Sequence, residues 1–327
     1  MNPLPPLDLR RASSVAQALR WRLENPGSRL LGGGTDLIVN IRRGIGDDPG
    51  MLIDVNGIEE MTAIEGDGAG LRIGAAAKLA TVAAHPVIRG HYPVLAQAAG
   101  SIAGATQRNM GTVGGNLCLD TRCIFYNQSE WWRASNDYCL KYGGTKCHVA
   151  PKSTTCFATF SGDLAPALLV LDAEVEIAGR GGRRSVPLAE LYTRDGRDYL
   201  SLGAEEIVCS VTLRTAPGLR SGYDKIRVRR SIEFPLAGVA VALRREGDRL
   251  TDLWVAITGT NPWPVLLEGT DALCGGALDE AVLTRFDALV ARQVMTMKTT
   301  FTPGHYRRRV AGVLARRLVR RLFDSGS

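Results

Sequence analysis

The 327-residue sequence predicts an α+β chain in two or three subdomains, and three observations predict it. The length exceeds what one hydrophobic core normally serves. Short apolar, strand-like runs are interleaved with runs of helical periodicity. Glycine- and proline-rich turns punctuate them. A composition of 45% apolar and 22% charged residues is that of a folded globular chain, and 37 glycines without a Gly-X-Y period exclude collagen. No run approaches the roughly 20 apolar residues of a membrane span. The opening MNPLPPLDLRRASS has no apolar signal core, so a soluble cytoplasmic protein without a membrane partner is expected.

The elements follow in order. Ser14 and Gln17 form a capping box for a helix to about residue 25, with Val15, Ala18, Leu19 and Leu23 on one face. Pro26-Gly27 ends it. A strand at 29–31 runs into Gly32-Gly33-Gly34-Thr35-Asp36, then Leu37-Ile38-Val39, and 51–55 reads as the next strand. A second unit starts near Ile58, with a strand at 71–74 and helices at about 79–84 and 94–103. Residues 109–116 are again rich in glycine. After a cysteine-rich stretch, 164–173 and 174–178 are apolar or alternating, and 206–213 is a strand. Pro217-Gly218 marks a domain boundary, giving 1–217 (parts 1–57 and 58–217) and 218–327. Strands at 238–243 and 253–257 and helices at about 278–290 and 306–323 complete the chain.

The net charge of +7 is partly local. Arg307, Arg308, Arg309, Arg316, Arg317, Arg320 and Arg321 lie on the last helix, where Val310, Leu314, Leu318 and Leu322 form the apolar stripe. No aromatics interleave with the arginines, so a solvated face or an acidic protein partner is expected, and no nucleic acid.

Glycine lets backbone amides approach an anion closely. Gly32-Gly33-Gly34-Thr35-Asp36 offers such a turn after a strand, and Gly111-Thr112-Val113-Gly114-Gly115-Asn116 offers a second. Neither fits the G-x-G-x-x-G or GxxxxGK[ST] patterns, and either alone reads as a tight turn. Two in neighbouring subdomains suggest a shared anion site. LLGGGTDL, RNMGTVGGNL, GDLAPALLVLDA and YDKIRVRRSIEFPLAGVAVAL, in this order, resemble the flavin subunits of the molybdenum hydroxylases, which include xanthine and carbon monoxide dehydrogenases. The resemblance runs from about residue 5 to 320. It implies a two-part vanillyl-alcohol-oxidase-like (PCMH) FAD-binding domain, followed by a CO-dehydrogenase-flavoprotein-like α+β domain. By position, Leu30, Leu31, Gly32, Gly33, Gly34, Thr35, Asp36 and Leu37 would wrap the FAD pyrophosphate. Ile102 would lie near the flavin, and Gly111, Thr112, Val113, Gly114, Gly115 and Asn116 would form the second loop. Asp163 would accept from a cofactor hydroxyl and Lys225 would sit by the isoalloxazine; taken alone, the two read as a strand-end cap and a surface charge.

Five of seven cysteines fall between 118 and 156. An odd count without a signal peptide argues against a disulfide framework. Cys209 and Cys274 read as small buried hydrophobes. Residues 121–161 hold Phe125, Tyr126, Trp131, Trp132, Tyr138, Tyr142, Phe157 and Phe160, too much apolar area for a solvated linker, so a folded lobe is expected. So small a unit needs a staple. Cys123, Cys139, Cys147 and Cys156 supply four thiolates, the number required by a [4Fe–4S] cube or a structural zinc. Their spacing matches no standard run, so metal, disulfides and free thiols all stay open. His148 is an alternative ligand or a local hydrogen-bonding group. TRCIFYNQSEWWR and KYGGTKCHV resemble the 4-hydroxybenzoyl-CoA reductase branch of the family, in which this loop carries an extra [4Fe–4S] cluster. The resemblance implies the same four cysteines as its ligands.

His85, His91, His148 and His305 are scattered, so no acid/base catalysis is assigned to this chain. The resemblance implies an electron-transfer subunit in a dimer of heterotrimers, fed by ferredoxin and serving a [2Fe–2S] small subunit and a molybdopterin-binding large subunit. That assembly would dehydroxylate 4-hydroxybenzoyl-CoA to benzoyl-CoA during anaerobic aromatic degradation. Two other readings compete: an oxidative medium subunit passing electrons to NAD or a quinone, and a zinc-stapled flavoprotein assembly module.

Overall fold

The computed structural model describes residues 3–67 and 70–325, the side chain of residue 67 excepted. Residues 1–2, 68–69 and 326–327, which include the outer ends of both predicted domains, lie outside it. The chain opens with β1 (Asp8–Arg11), α1 (Val15–Glu24), β2 (Arg29–Leu31), α2 (Leu37–Arg42) and β3 (Met51–Asp54). The strands form a parallel sheet ordered β1-β3-β2. All four residues of β3 are buried, as expected of the central strand of a parallel sheet. Ser14 caps α1 by accepting from the Gln17 amide, while Gln17 Oε1 accepts from the Ser13 amide at 2.8 Å. The capping box therefore closes one residue upstream of the predicted pair. Leu37-Ile38-Val39 begins α2.

The second part contains α3 (Glu59–Thr62), β4 (Ile64–Asp67), β5 (Gly70–Gly74), α4 (Leu79–Ala84), α5 (Pro86–His91), α6 (Pro93–Ser101), α7 (Ala105–Met110) and α8 (Val113–Leu117). After the lobe, with its helix α9 (Glu130–Ser135), come α10 (Leu164–Leu169), β6 (Glu174–Gly179), β7 (Gly182–Pro187) and β8 (Ile207–Arg214). This sheet, β4-β5-β8-β6-β7, is antiparallel throughout. Cys209 is fully buried in it, as expected. Every residue of α10 is buried, which explains its all-round apolar sequence.

The last part is an antiparallel sheet, β12-β11-β10-β9, built from β9 (Arg220–Ile226), β10 (Ala237–Glu246), β11 (Arg249–Thr258) and β12 (Val265–Leu266). Helices α11 (Glu280–Gln293) and α12 (Gly304–Asp324) pack on it. Two expectations need correction here. Cys274 is half-buried rather than buried, because it leads into the open Gly275-Gly276 turn. Arg307 does not belong to the basic face. It is fully buried and donates to the carbonyls of Leu236, Met297 and Gly259 and to the Thr299 hydroxyl. Burial pulls its pKa down to about 10. Arg316 and Arg320 pair with Glu280 of α11, and Arg316 also pairs with Asp287, so part of the face is used internally. Among the described residues, no helix is long and apolar enough to cross a membrane.

Candidate flavin-binding and thiol sites

The two glycine loops lie back to back. A Cβ on Gly33 would fall 2.2 Å from the Met110 carbonyl oxygen, and one on Gly32 would fall 2.5 Å from Thr112 Oγ1. Only side-chain-free backbone allows this approach. Gly34 has φ +69°, the left-handed region that glycine enters without strain. Among the described residues, the backbone N–H groups of Gly33, Gly34, Thr35 and Asp36 meet no acceptor within the chain. Four neighbouring unpaired amides suit the diphosphate of FAD. Behind them, the Asn56 side chain donates to the Gly32 carbonyl at 2.7 Å and to Asp54, and Lys78 donates to Asn56 and to the Met110 carbonyl. Asn56 and Lys78 were not singled out in the sequence; no local motif marks them.

The second loop differs. The amides of Gly111, Val113, Gly114 and Asn116 donate to the carbonyls of Gln107, Ala77, Ala75 and Thr112, and that of Gly115 to the Thr112 side chain. Asn116 Oδ1 accepts from the buried Leu164 amide at 2.9 Å. This loop therefore shapes the site by packing against Gly32 and Gly33 and by anchoring the segment that carries Asp163.

Asp163 and Lys225 meet, but chiefly each other. Lys225 Nζ lies 3.0 Å from Asp163 Oδ2, with side chains 3% and 4% exposed, and the Tyr223 hydroxyl donates to Asp163 Oδ1. Burial pushes the Asp163 carboxyl up against the pull of Lys225, and burial pushes the Lys225 ammonium down against that of Asp163. Asp163 occupies the position before α10 without capping it, and Lys225 is not a surface charge. Ile102 ends α6 in an extended conformation. Arg108 Nη1 donates to its carbonyl at 2.7 Å, and Arg227 Nη1 donates to that of Ser101 at 3.0 Å.

The lobe at 121–161 has its own small core of Ile45, Cys123, Tyr126, Cys139, Cys156 and Ala158. Phe160 leaves it for the main core, stacking edge-on against Tyr192, and Trp131 stands 77% exposed. Asp137 and Tyr138 both take left-handed backbone, with φ of 56° and 55°, and wrap tightly over Gly144. Cys123, Cys139, Cys147 and Cys156 are all buried and free. The Cys147 and Cys156 thiols hydrogen-bond one another, and Cys123 lies within electrostatic range of Cys139 and Cys147. Amides point at the sulfurs: Ala158 at Cys156 Sγ, 3.3 Å away; Phe125 and Tyr126 at Cys123; Phe157, Ala150 and Val149 at Cys147. The Cys156 contact and these amides bring Cys147 down to about 5, whereas burial pushes Cys123 up to about 11. Lys141, held by Asp120 and the Gly196 carbonyl between the Tyr126 and Tyr199 rings, places a buried cation near Cys156. His148 bonds the Tyr138 carbonyl through Nε2 at 2.6 Å. Among the described residues, no three His, Cys, Asp or Glu side chains form a group tight enough for a single metal ion. The donor set is nevertheless apt for a larger sulfur-ligated group, since buried thiolates with amide donors are what such a group requires.

Residues 5–214 match the family described as the FAD binding domain in molybdopterin dehydrogenase, and residues 222–322 match the CO dehydrogenase flavoprotein C-terminal domain. The chain belongs to the FAD-binding medium subunits of the molybdenum hydroxylase family. Within that family it is 33% identical to the aldehyde oxidoreductase FAD-binding subunit PaoB of Escherichia coli, over 93% of this chain and 96% of the relative. It is 27% identical to the carbon monoxide dehydrogenase medium chain of Hydrogenophaga pseudoflava, over 81% and 78% of the two chains. The fold superposes with a TM-score of 0.81 and 21% identity on a solved carbon monoxide dehydrogenase from that organism lacking the Mo-pyranopterin moiety of its cofactor, covering 98% of both chains. Membership in the family assigns FAD as cofactor and an oxidoreductase assembly as context.

Proposed function

We propose that this medium subunit is an electron relay with two redox groups, FAD on the Gly32–Leu37 loop and a [4Fe–4S] cluster on Cys123, Cys139, Cys147 and Cys156. The observation that carries the second half is the set of four free, buried thiols, with backbone amides aimed at the sulfurs of Cys123, Cys147 and Cys156. When bound, FAD exchanges one or two electrons and an iron–sulfur cube one. The chain's own residues bind and orient. The Gly33–Asp36 amides hold a diphosphate, the Asp163–Lys225 pair fixes β9 against α10, and the lobe keeps water from the thiols. With the histidines scattered, no acid/base catalysis is assigned to this chain, and bond-making chemistry is placed on a partner. The reading calls for a molybdopterin-binding large subunit and a [2Fe–2S] small subunit, in a dimer of three-subunit units in the cytoplasm.

Two finer readings differ in direction. An oxidative assembly that oxidises an aldehyde and reduces NAD or a quinone is supported by the 33% identity to the aldehyde oxidoreductase subunit. A reductive 4-hydroxybenzoyl-CoA reductase fed by ferredoxin is supported by the TRCIFYNQSEWWR and KYGGTKCHV strings of the lobe. The relay is tested by metal and sulfide analysis with EPR of the isolated subunit. About four irons and four labile sulfides per chain are expected, lost on Cys156→Ser, whereas zinc without sulfide overturns it. Direction is then read from the purified assembly. Aldehyde-dependent bleaching supports the oxidative reading, and reduction only by a low-potential donor supports the reductive one.

A further inference from the structure

Asp36 poses an electrostatic problem for a diphosphate loop. Its carboxylate stands beside the free amides that an anion would use, and two negative groups at one place repel. The compensation comes from 86 residues away. Arg122 Nη2 pairs with Asp36 Oδ1, Arg122 Nη1 donates to Asn40 Oδ1 at 3.2 Å, and Asn40 Nδ2 donates to Asp36 Oδ2 at 3.0 Å. The three side chains close a ring. With the arginine side chain 14% exposed, solvent screens the pair less than a surface ion pair. Arg122 is itself fixed. Its amide and carbonyl exchange hydrogen bonds of 2.7 Å with Thr159, and its guanidinium lies 4.9 Å from the Phe234 ring centroid. The first α/β part, the thiol lobe and the carboxy-terminal part therefore meet at one side chain.

The geometry points to Arg122 as a positioning residue for flavin binding: it neutralises and orients Asp36 so that the Gly33–Asp36 amides face the cofactor diphosphate with no bare carboxylate beside them. This rests on FAD binding, which family membership gives, and not on the metal-cluster reading. Arg122 Nε is buried without a partner, so a direct contact with the diphosphate is the competing role that the test must separate.

The test uses the full-length chain, stripped of flavin and titrated with FAD while flavin fluorescence is read. Arg122→Met is expected to weaken FAD binding by about tenfold or more, and adding Asp36→Asn to recover most of that loss. Arg122→Lys keeps the charge but loses the two-pronged geometry, so it falls between. An unchanged affinity in Arg122→Met overturns the proposal. A double variant as weak as Arg122→Met also overturns it, because the arginine then acts on the cofactor directly. Should circular dichroism show Arg122→Met unfolded, Asp36→Asn alone decides. Affinity equal to or tighter than that of the unaltered chain supports neutralisation, and a loss of about tenfold shows that the carboxylate itself binds and overturns it.

Discussion

The two glycine loops are nearly interchangeable in composition and opposite in use. Gly33 to Asp36 leave their amides free, while Gly111 and Val113 to Asn116 turn theirs inward to Gln107, Ala77, Ala75 and Thr112. One loop offers its donors to an anion and the other packs against the first. Glycine serves both, in one case by exposing backbone and in the other by letting two backbones touch. The comparison teaches that an anion site is marked by unpaired donors, which glycine permits but does not guarantee.

The most severe way to break the comparison is Gly33→Ala. A methyl 2.2 Å from the Met110 oxygen cannot be relieved by a rotamer, so the loops must separate. A loss of about 3 kcal/mol, with loss of bound FAD, is expected in thermal melts and flavin content. Asn116→Ala tests the second loop. It strips the buried Leu164 amide of its acceptor and is expected to cost about 1–3 kcal/mol of stability. The drop in Tm should exceed any matching drop in FAD affinity; if affinity falls while Tm holds, Asn116 touches the cofactor. The mildest test is acid. Burial pushes the Asp54 carboxyl up, but the Asn56 amide and side chain, with Arg11, outweigh it and hold it below the usual carboxylate range. A depressed folded-state value stabilises above the unfolded value of 3.8 and loses that contribution as the pH falls through the folded one. The hydrogen bonds that the Asn56 amide and side chain donate to Asp54 would then weaken. A small decline in Tm below about pH 4, reduced in Asp54→Asn, is the expected record.

Much of the architecture was legible where local rules act. The Ser14 capping region, the helix at 79–84 and the strands around 71–74 and 207–214 announce themselves by caps and periodicity. Edge strands β1 and β7 did not, because DLRR and GRRSVP are mostly exposed and carry no alternation. Helices α7 to α9 are too short for a period to show. In the site, the first loop and the four cysteines stood out by clustering. Arg122, Asn56 and Lys78 did not, since each matters through partners distant in sequence. Arg307 was misplaced because a helical wheel puts it with its basic neighbours, and only the tertiary acceptors explain its burial.

Those acceptors also tie the thiol lobe to the carboxy-terminal part. The thiol lobe docks on residues far along the chain: Ile124 donates to the Thr299 carbonyl, Thr159 shares a hydrogen bond with the Thr299 hydroxyl, and Arg307 secures Thr299 from the start of α12. Until α12 is in place, the lobe lacks the contacts that Thr299 supplies. Docking of α12 is thus the latch on the lobe.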